Sequence, residues 1–345
     1  MEFIQTNKNV KWLFYFFILL FISLSVYKVI AQIYSPYWQE LSDVATGVFT
    51  GHPQWIAYQN RLLGPYLVQF ISGFGISSIS AVKVFTLLTI TIQNLVLFAL
   101  LVKSGVSYSK ALGYIVFYSF VFLCLQDYGF YTWDSIEAIL FTLFAWGIFQ
   151  GKSTTYFVFL YLAAIFNRES ALFISLYLVI DSFQINQLKI YFVSRSKLVT
   201  GSFLMIAGII YTKLIRDFLF ISQPDGFKDS AHAQIGNHIH LQTNLTDLFI
   251  NNLTSIHILN SVFILGSVVY LAYFIKQYND RQLKALTVFL VLVVNILIFG
   301  VINETRMYII LVPFVIFFQL ERQVSEINGG KFAAQAQKHK DKRKF

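Results

Sequence analysis

Gln54-Trp-Ile-Ala-Tyr-Gln-Asn-Arg61-Leu-Leu-Gly-Pro65-Tyr-Leu-Val-Gln-Phe-Ile-Ser-Gly-Phe-Gly75 is the stretch on which the fold turns. It is apolar enough to cross a bilayer, yet Arg61, Gly64 and Pro65 stand in its middle. Upstream lies a polar run, Tyr34-Ser-Pro-Tyr-Trp-Gln-Glu40-Leu-Ser-Asp43, followed by Gly51-His52-Pro53. Whether residues 54–75 cross decides the side of the membrane on which every later loop sits.

Composition places the chain in a bilayer. Of its 345 residues 57% are hydrophobic and 12% charged, and its mean hydropathy is +0.63; soluble domains carry roughly 25% charged residues. The 37 Phe and 20 Tyr suit lipid-facing surfaces and interfacial belts. Cys124 is the one cysteine, which rules out a disulfide framework or a zinc set. The net charge of +9 is distributed as orientation signals, so no nucleic-acid partner is expected. Residues 12–33 read as a retained first span, because no small-x-small cleavage site follows them.

Lipid leaves a spanning segment no water to bond, so apolar runs of about 20 residues mean helices. Spans are expected near 12–33, 80–102, 110–126, 134–150, 154–167, 170–187, 198–220, 256–276, 285–302 and 307–321. If 54–75 is an interfacial or re-entrant element, one face collects Lys8 and Lys11, Lys103 and Lys110, Lys152, Lys189 with Arg195 and Lys197, Lys276 with Arg281 and Lys284, and the tail lysines. That is the positive-inside pattern. If 54–75 spans, every later cluster changes face. The expected fold is therefore all-α: a polytopic membrane bundle over 1–322, with about ten transmembrane helices and an interfacial or re-entrant helix after the first. Outer-face loops fall at 34–78 and 221–255. Residues 323–345 form a disordered, basic, cytoplasmic tail that meets acidic lipid headgroups. Both termini are cytoplasmic and the membrane is the plasma (inner) membrane. No internal repeat is visible, and the longest hydrophilic stretch is too short for a soluble domain.

The outer face then holds the unusual polar residues. Glu40 and Asp43, three apart, share a helix face if 39–50 is helical; they suit a general base or a divalent cation, or Ser42 or Asp43 caps a short surface helix. Arg61 is costly in so apolar a setting unless paired or facing a cavity. Its planar donors fit phosphate, and the plain alternative is a snorkelling side chain. In Asp127-Tyr-Gly-Phe-Tyr-Thr-Trp133-Asp134 the aromatics can stack on a sugar or sit in the interfacial belt, and Asp134 can cap the next helix. Asn167-Arg168-Glu169-Ser170 and Asn303-Glu304-Thr305-Arg306 each place an acid and a base at a helix end, as local ion pairs or as phosphate ligands. His232, His238 and His240 hold a His-x-His but no third ligand with strong spacing. Asn244, Asn252 and Asn303 match the glycan-acceptor pattern, which chance supplies cheaply.

Taken together, an acid-bearing outer loop with Gly-x-Pro, then Arg61-Leu-Leu-Gly-Pro65, then Trp133-Asp134, Arg168-Glu169-Ser170 and Glu304-Thr-Arg306 before Pro313 resembles the GT-C superfamily of integral membrane glycosyltransferases, over most of 12–320. The resemblance implies a polyprenyl-phosphate-linked sugar as donor and a glycan, lipid or protein as acceptor. It makes Asp43 the catalytic base, with Glu40 as the alternative nearer the membrane. Arg61, Arg168 or Arg306 would hold the donor phosphate. His52, Asp127, Trp133, Asp134, Glu169 and Glu304 are the expected substrate-binding residues. A divalent cation, Mg or Mn, stays open as cofactor. The chain departs from larger members in lacking a soluble C-terminal domain and an adjacent acid pair. Competing readings are a polysaccharide polymerase or ligase using lipid-linked glycans, and a lipid or sugar transporter, which would show a polar path through mid-membrane.

Overall fold

A computed structural model describes residues 8–53, 61–125, 133–186, 189–220, 239–255 and 257–322. The helices are α1 (Lys8–Ile33), α2 (Trp38–Thr50), α3 (Leu63–Ser72), α4 (Ser78–Lys103), α5 (Tyr108–Cys124), α6 (Asp134–Phe149), α7 (Thr154–Ile165) and α8 (Leu172–Ile180). After the ribbon strands β1 (Phe183–Asn186) and β2 (Lys189–Phe192) come α9 (Arg195–Leu214), α10 (Leu241–Phe249), α11 (Ile258–Tyr273) and α12 (Asp280–Phe299), and then α13, residues 312–322.

Val10–Ile33, Ser78–Lys103, Arg195–Leu214 and Asp280–Phe299 are long and apolar enough to cross a membrane. The remaining apolar helices are shorter; α7, for example, has 12 residues, about 18 Å at 1.5 Å per residue. Among the described residues four helices thus meet the length and composition of a span, where about ten spans are expected from the sequence. Leu63–Ser72, within the stretch 54–75, has ten residues, about 15 Å; alone it reaches about half of a hydrocarbon core of roughly 30 Å. Pro65 sits in its first turn, where a missing N–H costs nothing.

Two expected boundaries are corrected. The segment expected to span 170–187 is a helix only to Ile180; the chain then forms an antiparallel ribbon pairing Phe183 with Phe192 and Asn186 with Lys189. Phe183, Ile185, Ile190 and Phe192 supply the alternate apolar positions that a two-residue repeat favours. The stretch expected at 198–220 starts at Arg195 and ends in a π-helical turn, Ile215–Leu219.

The bundle has a chemically distinct end. Lys11 lies over the Tyr108 ring at 4.3 Å, and Lys103 and Lys152 both face Trp146, at 5.2 and 4.6 Å. Arg281 packs on Gly151, Arg322 covers Phe274, and Asp181 receives Lys197 at 2.5 Å and Lys284 at 2.9 Å. The starts of α1, α5, α7, α9 and α12 and the ends of α4, α6, α8, α11 and α13 therefore share one basic end. The opposite end, poorer in lysine, gathers Trp38 with Lys83 over its ring at 5.8 Å, Arg61, Trp133, Arg168 and the 300–308 turn.

α6 is the axis. Fourteen of its 16 residues are buried, as befits a helix apolar all round. α1 and α9 instead leave Phe17, Phe21, Phe203 and Ile206 more than half exposed, an apolar surface that lipid covers. Interhelical bonds tie the interior: Asn94 Nδ2 donates to Ser23 Oγ at 2.9 Å, Gln93 Nε2 to Thr142 Oγ1 at 2.9 Å, and Tyr161 Oη to the Leu204 carbonyl at 2.6 Å. Gly201 lets α9 approach α8 so closely that a Cβ would stand 2.8 Å from the Ser175 carbonyl oxygen, the small-residue contact common between helices in lipid.

Candidate functional site

Three distant stretches meet at the end opposite the lysines. The main-chain N–H groups of Leu62 and Leu63 both donate to the Phe166 carbonyl, at 3.0 and 2.9 Å. This stitches the Arg61 stretch to Phe166-Asn167-Arg168. On its other side Gly64 abuts Trp133: a Cβ at Gly64 would lie 2.3 Å from the Trp133 Cβ. Arg61 is buried, at 6% exposure, and Trp133 nearly completely so.

Trp133 occupies the N-cap of α6 without a capping side-chain bond. Asp134 is therefore a first-turn residue and not the cap. Asp134 and Glu137, one turn apart, face the same way, and both are buried. The N-terminal end of the helix dipole favours their negative charge. Arg168 Nη1 sits 2.7 Å from Glu137 Oε2 and 3.8 Å from Asp134 Oδ1. Burial opposes the charge on Arg168, but Glu137, Asp134 and Glu169 together outweigh it and hold the guanidinium protonated above its ordinary range.

Beside this cluster is a cavity of about 280 Å³ whose wall includes Glu137, Arg168, Glu169, Ser170, Asn295 and Met307. It brings together α6, the turn before α8, α12 and the turn Thr305–Ile310. Ser135 Oγ and Asn167 Oδ1 are buried nearby in sequence and have no hydrogen-bond partner among the described residues. Such groups are met by water; neither lines the 280 Å³ cavity, whose own wall offers a polyol the carboxylates of Glu137 and Glu169, the Arg168 guanidinium, the Ser170 hydroxyl and the Asn295 amide.

The other expected site residues fall as follows. Glu40 and Asp43 are exposed on α2, opposite its buried Leu41, Val44, Ala45 and Val48, and Asp43 accepts from Gln39 at 2.8 Å. The helix begins at Trp38, so neither Ser42 nor Asp43 caps it. His52 is exposed, with its N–H on the Gly47 carbonyl at 2.7 Å, just after Gly51 turns the chain at φ +79°. Glu169 is half-buried in the cavity wall. Glu304 is half-buried at the cap of the turn Thr305–Ile310. Asp127, His232, His238, the tail from residue 323 and the Arg306 side chain lie outside the described residues. His240 donates its N–H to the Ile298 carbonyl, and among the described residues no His, Cys, Asp and Glu cluster could hold a metal.

Two acceptor-pattern asparagines have other work. Asn244, 1% exposed, donates Nδ2 to the Leu297 and Gly300 carbonyls at 2.9 and 2.8 Å and accepts from Ile302 N–H at 3.0 Å. Asn252 is equally buried and bonds Ser261. Neither amide is open to a glycan.

Glu137 and Asn295 belong to the site although the sequence reading passed over them. Both could have been found: each is a polar side chain inside an otherwise apolar helix, where such a residue is expensive and faces the interior. Compared with protein-family models, curated proteins and solved structures, the chain matches none.

Proposed function

We propose that this chain is an integral membrane glycosyltransferase of the GT-C kind, with its site at the end away from the lysines. The observation that carries the reading is the ion-paired Glu137 and Arg168 in the wall of a 280 Å³ cavity, with Asp134 against the same guanidinium and the buried Arg61 and Trp133 on the stretches packed next to it. In this reading the bundle crosses the plasma membrane about ten times, the basic end and both termini are cytoplasmic, and the cavity opens toward the outer face. A polyprenyl-phosphate sugar lies with its tail in lipid and its sugar at the cavity.

In a single inverting displacement the acceptor hydroxyl oxygen bonds to the anomeric carbon. The bond from that carbon to the phosphate oxygen breaks, and the lipid phosphate leaves with the electron pair. Asp43 takes the hydroxyl proton. Arg168, already bonded to Glu137, positions the carboxylates; charge on the departing phosphate falls to Arg61 and Arg306. Glu40, Glu137 and Glu169 are the competing bases.

Transfer of labelled sugar in membranes from cells making Asp43→Asn, Arg61→Ala, Glu137→Gln or Glu169→Gln tests this. Loss of transfer in Asp43→Asn and Arg61→Ala at unchanged protein levels is expected. Full transfer by both ends the reading, and loss confined to Glu137→Gln or Glu169→Gln moves the base to that residue.

One observation favours transport instead: Gln93, Asn94, Tyr118, Ser119 and Ser135 form a buried polar row around a void of about 10 Å³. That space is about one water, too narrow for a sugar to pass.

A further inference from the structure

At the basic end a second and larger cavity, about 530 Å³, opens between α5, α11 and α13. Its volume falls in the ligand-pocket range of roughly 300–1,000 Å³. Its lining is graded. Lys110, exposed, stands at the mouth. Slightly deeper, Tyr270 Oη bonds Gln319 Oε1. Deeper still lie Gly113, Phe117 and Ile316. From Lys110 to Phe117 the helix descends about 10 Å, roughly a third of the hydrocarbon core. The order from mouth to floor is cation, hydrogen-bonding pair, apolar trough.

We infer that this cleft is a binding site for an anionic phospholipid of the leaflet at the basic end. The phosphate meets Lys110, the glycerol-ester region meets Tyr270 and Gln319, and one acyl chain fills the trough along Gly113 and Phe117. Charge complementarity selects this occupant. Arg322, on the ring of Phe274 beside Tyr270, adds positive charge at the same mouth. Gly113 keeps the trough open: a Cβ there meets nothing within 4 Å. The inference goes beyond glycosyl transfer and stands or falls separately from it, because the cleft is at the other end of the bundle.

Native mass spectrometry of the full chain in detergent, titrated with phosphatidylglycerol or phosphatidylcholine, tests the site. Phosphatidylglycerol should be retained about fivefold more strongly, the worth of one lysine near an anionic surface. Lys110→Glu, at an exposed position, should remove that preference. Gly113→Phe should abolish retention of both lipids while the melting temperature stays put. Equal retention of the two lipids by the unaltered chain, or undiminished phosphatidylglycerol retention in Lys110→Glu or in a folded Gly113→Phe, would overturn the inference.

Discussion

Gly64 and Trp133 touch so closely that the glycine cannot carry a side chain: the added Cβ would stand 2.3 Å from the Trp133 Cβ. The contact sets the short helix α3 against the start of α6, and so holds Arg61 beside the residues of the α6 N-terminus. Gly64→Ala must push the two apart. Overpacking of this kind costs about 1–3 kcal/mol. A fall in melting temperature in detergent, with a loss of transfer larger than that caused by Gly266→Ala, is the expected outcome; the Gly266 position is open.

The Glu137–Arg168 pair predicts a sign. Removing one partner of a buried pair costs about 3–5 kcal/mol, and less here because 21% of the Arg168 side chain is exposed. Arg168→Met leaves the buried Glu137 carboxylate without its guanidinium and should destabilise more than the double variant Glu137→Gln/Arg168→Met. Thermal unfolding of both, with Glu137→Gln alone, closes the cycle; additive losses would mean the pair is not coupled.

Asp43 predicts the reverse of a structural residue. It is exposed and bonded only locally, to Gln39. Asp43→Asn should change stability by no more than about 0.5 kcal/mol while removing transfer. A drop in protein level comparable to that of Arg168→Met would show instead that Asp43 is part of the scaffold.

Topology can be read with thiols. Cys124 is the one native cysteine and is exposed, so it is first replaced by Ser. Ile76→Cys, between α3 and α4, should then react with an impermeant maleimide added to intact cells. Ser107→Cys, between α4 and α5, should react only after permeabilisation. The opposite pattern would invert the bundle and move the cavity to the cytoplasm.

Apolar runs marked where helices lie, because lipid forces each run to close its own backbone bonds. They marked lengths less well. Phe183–Phe192 is apolar enough to pass as a helix end, and only its pairing with itself reveals a ribbon. At the site, Arg61, Trp133, Asp134, Arg168 and Glu169 stood out as polar or aromatic residues at helix ends, and the fold brings them together. Glu137 and Asn295 are hidden one or more turns inside apolar helices, where a run of hydrophobic neighbours masks a single polar side chain. Which acid meets which base is set by three-dimensional packing, and the spacing of Asp134 and Glu137 alone does not name Arg168 as their partner.

The shortness of α7 has a mechanical consequence for the surrounding lipid. Its 12 residues reach about 18 Å, and a shorter element draws the bilayer inward around it to relieve hydrophobic mismatch. A bilayer crossed by the 154–180 hairpin would have to thin beside it, which would bring headgroups toward the level of Phe166 and Arg168. On the glycosyltransferase reading, a lipid-borne donor would then reach Arg168 by sinking with its own leaflet, without having to climb out of the membrane.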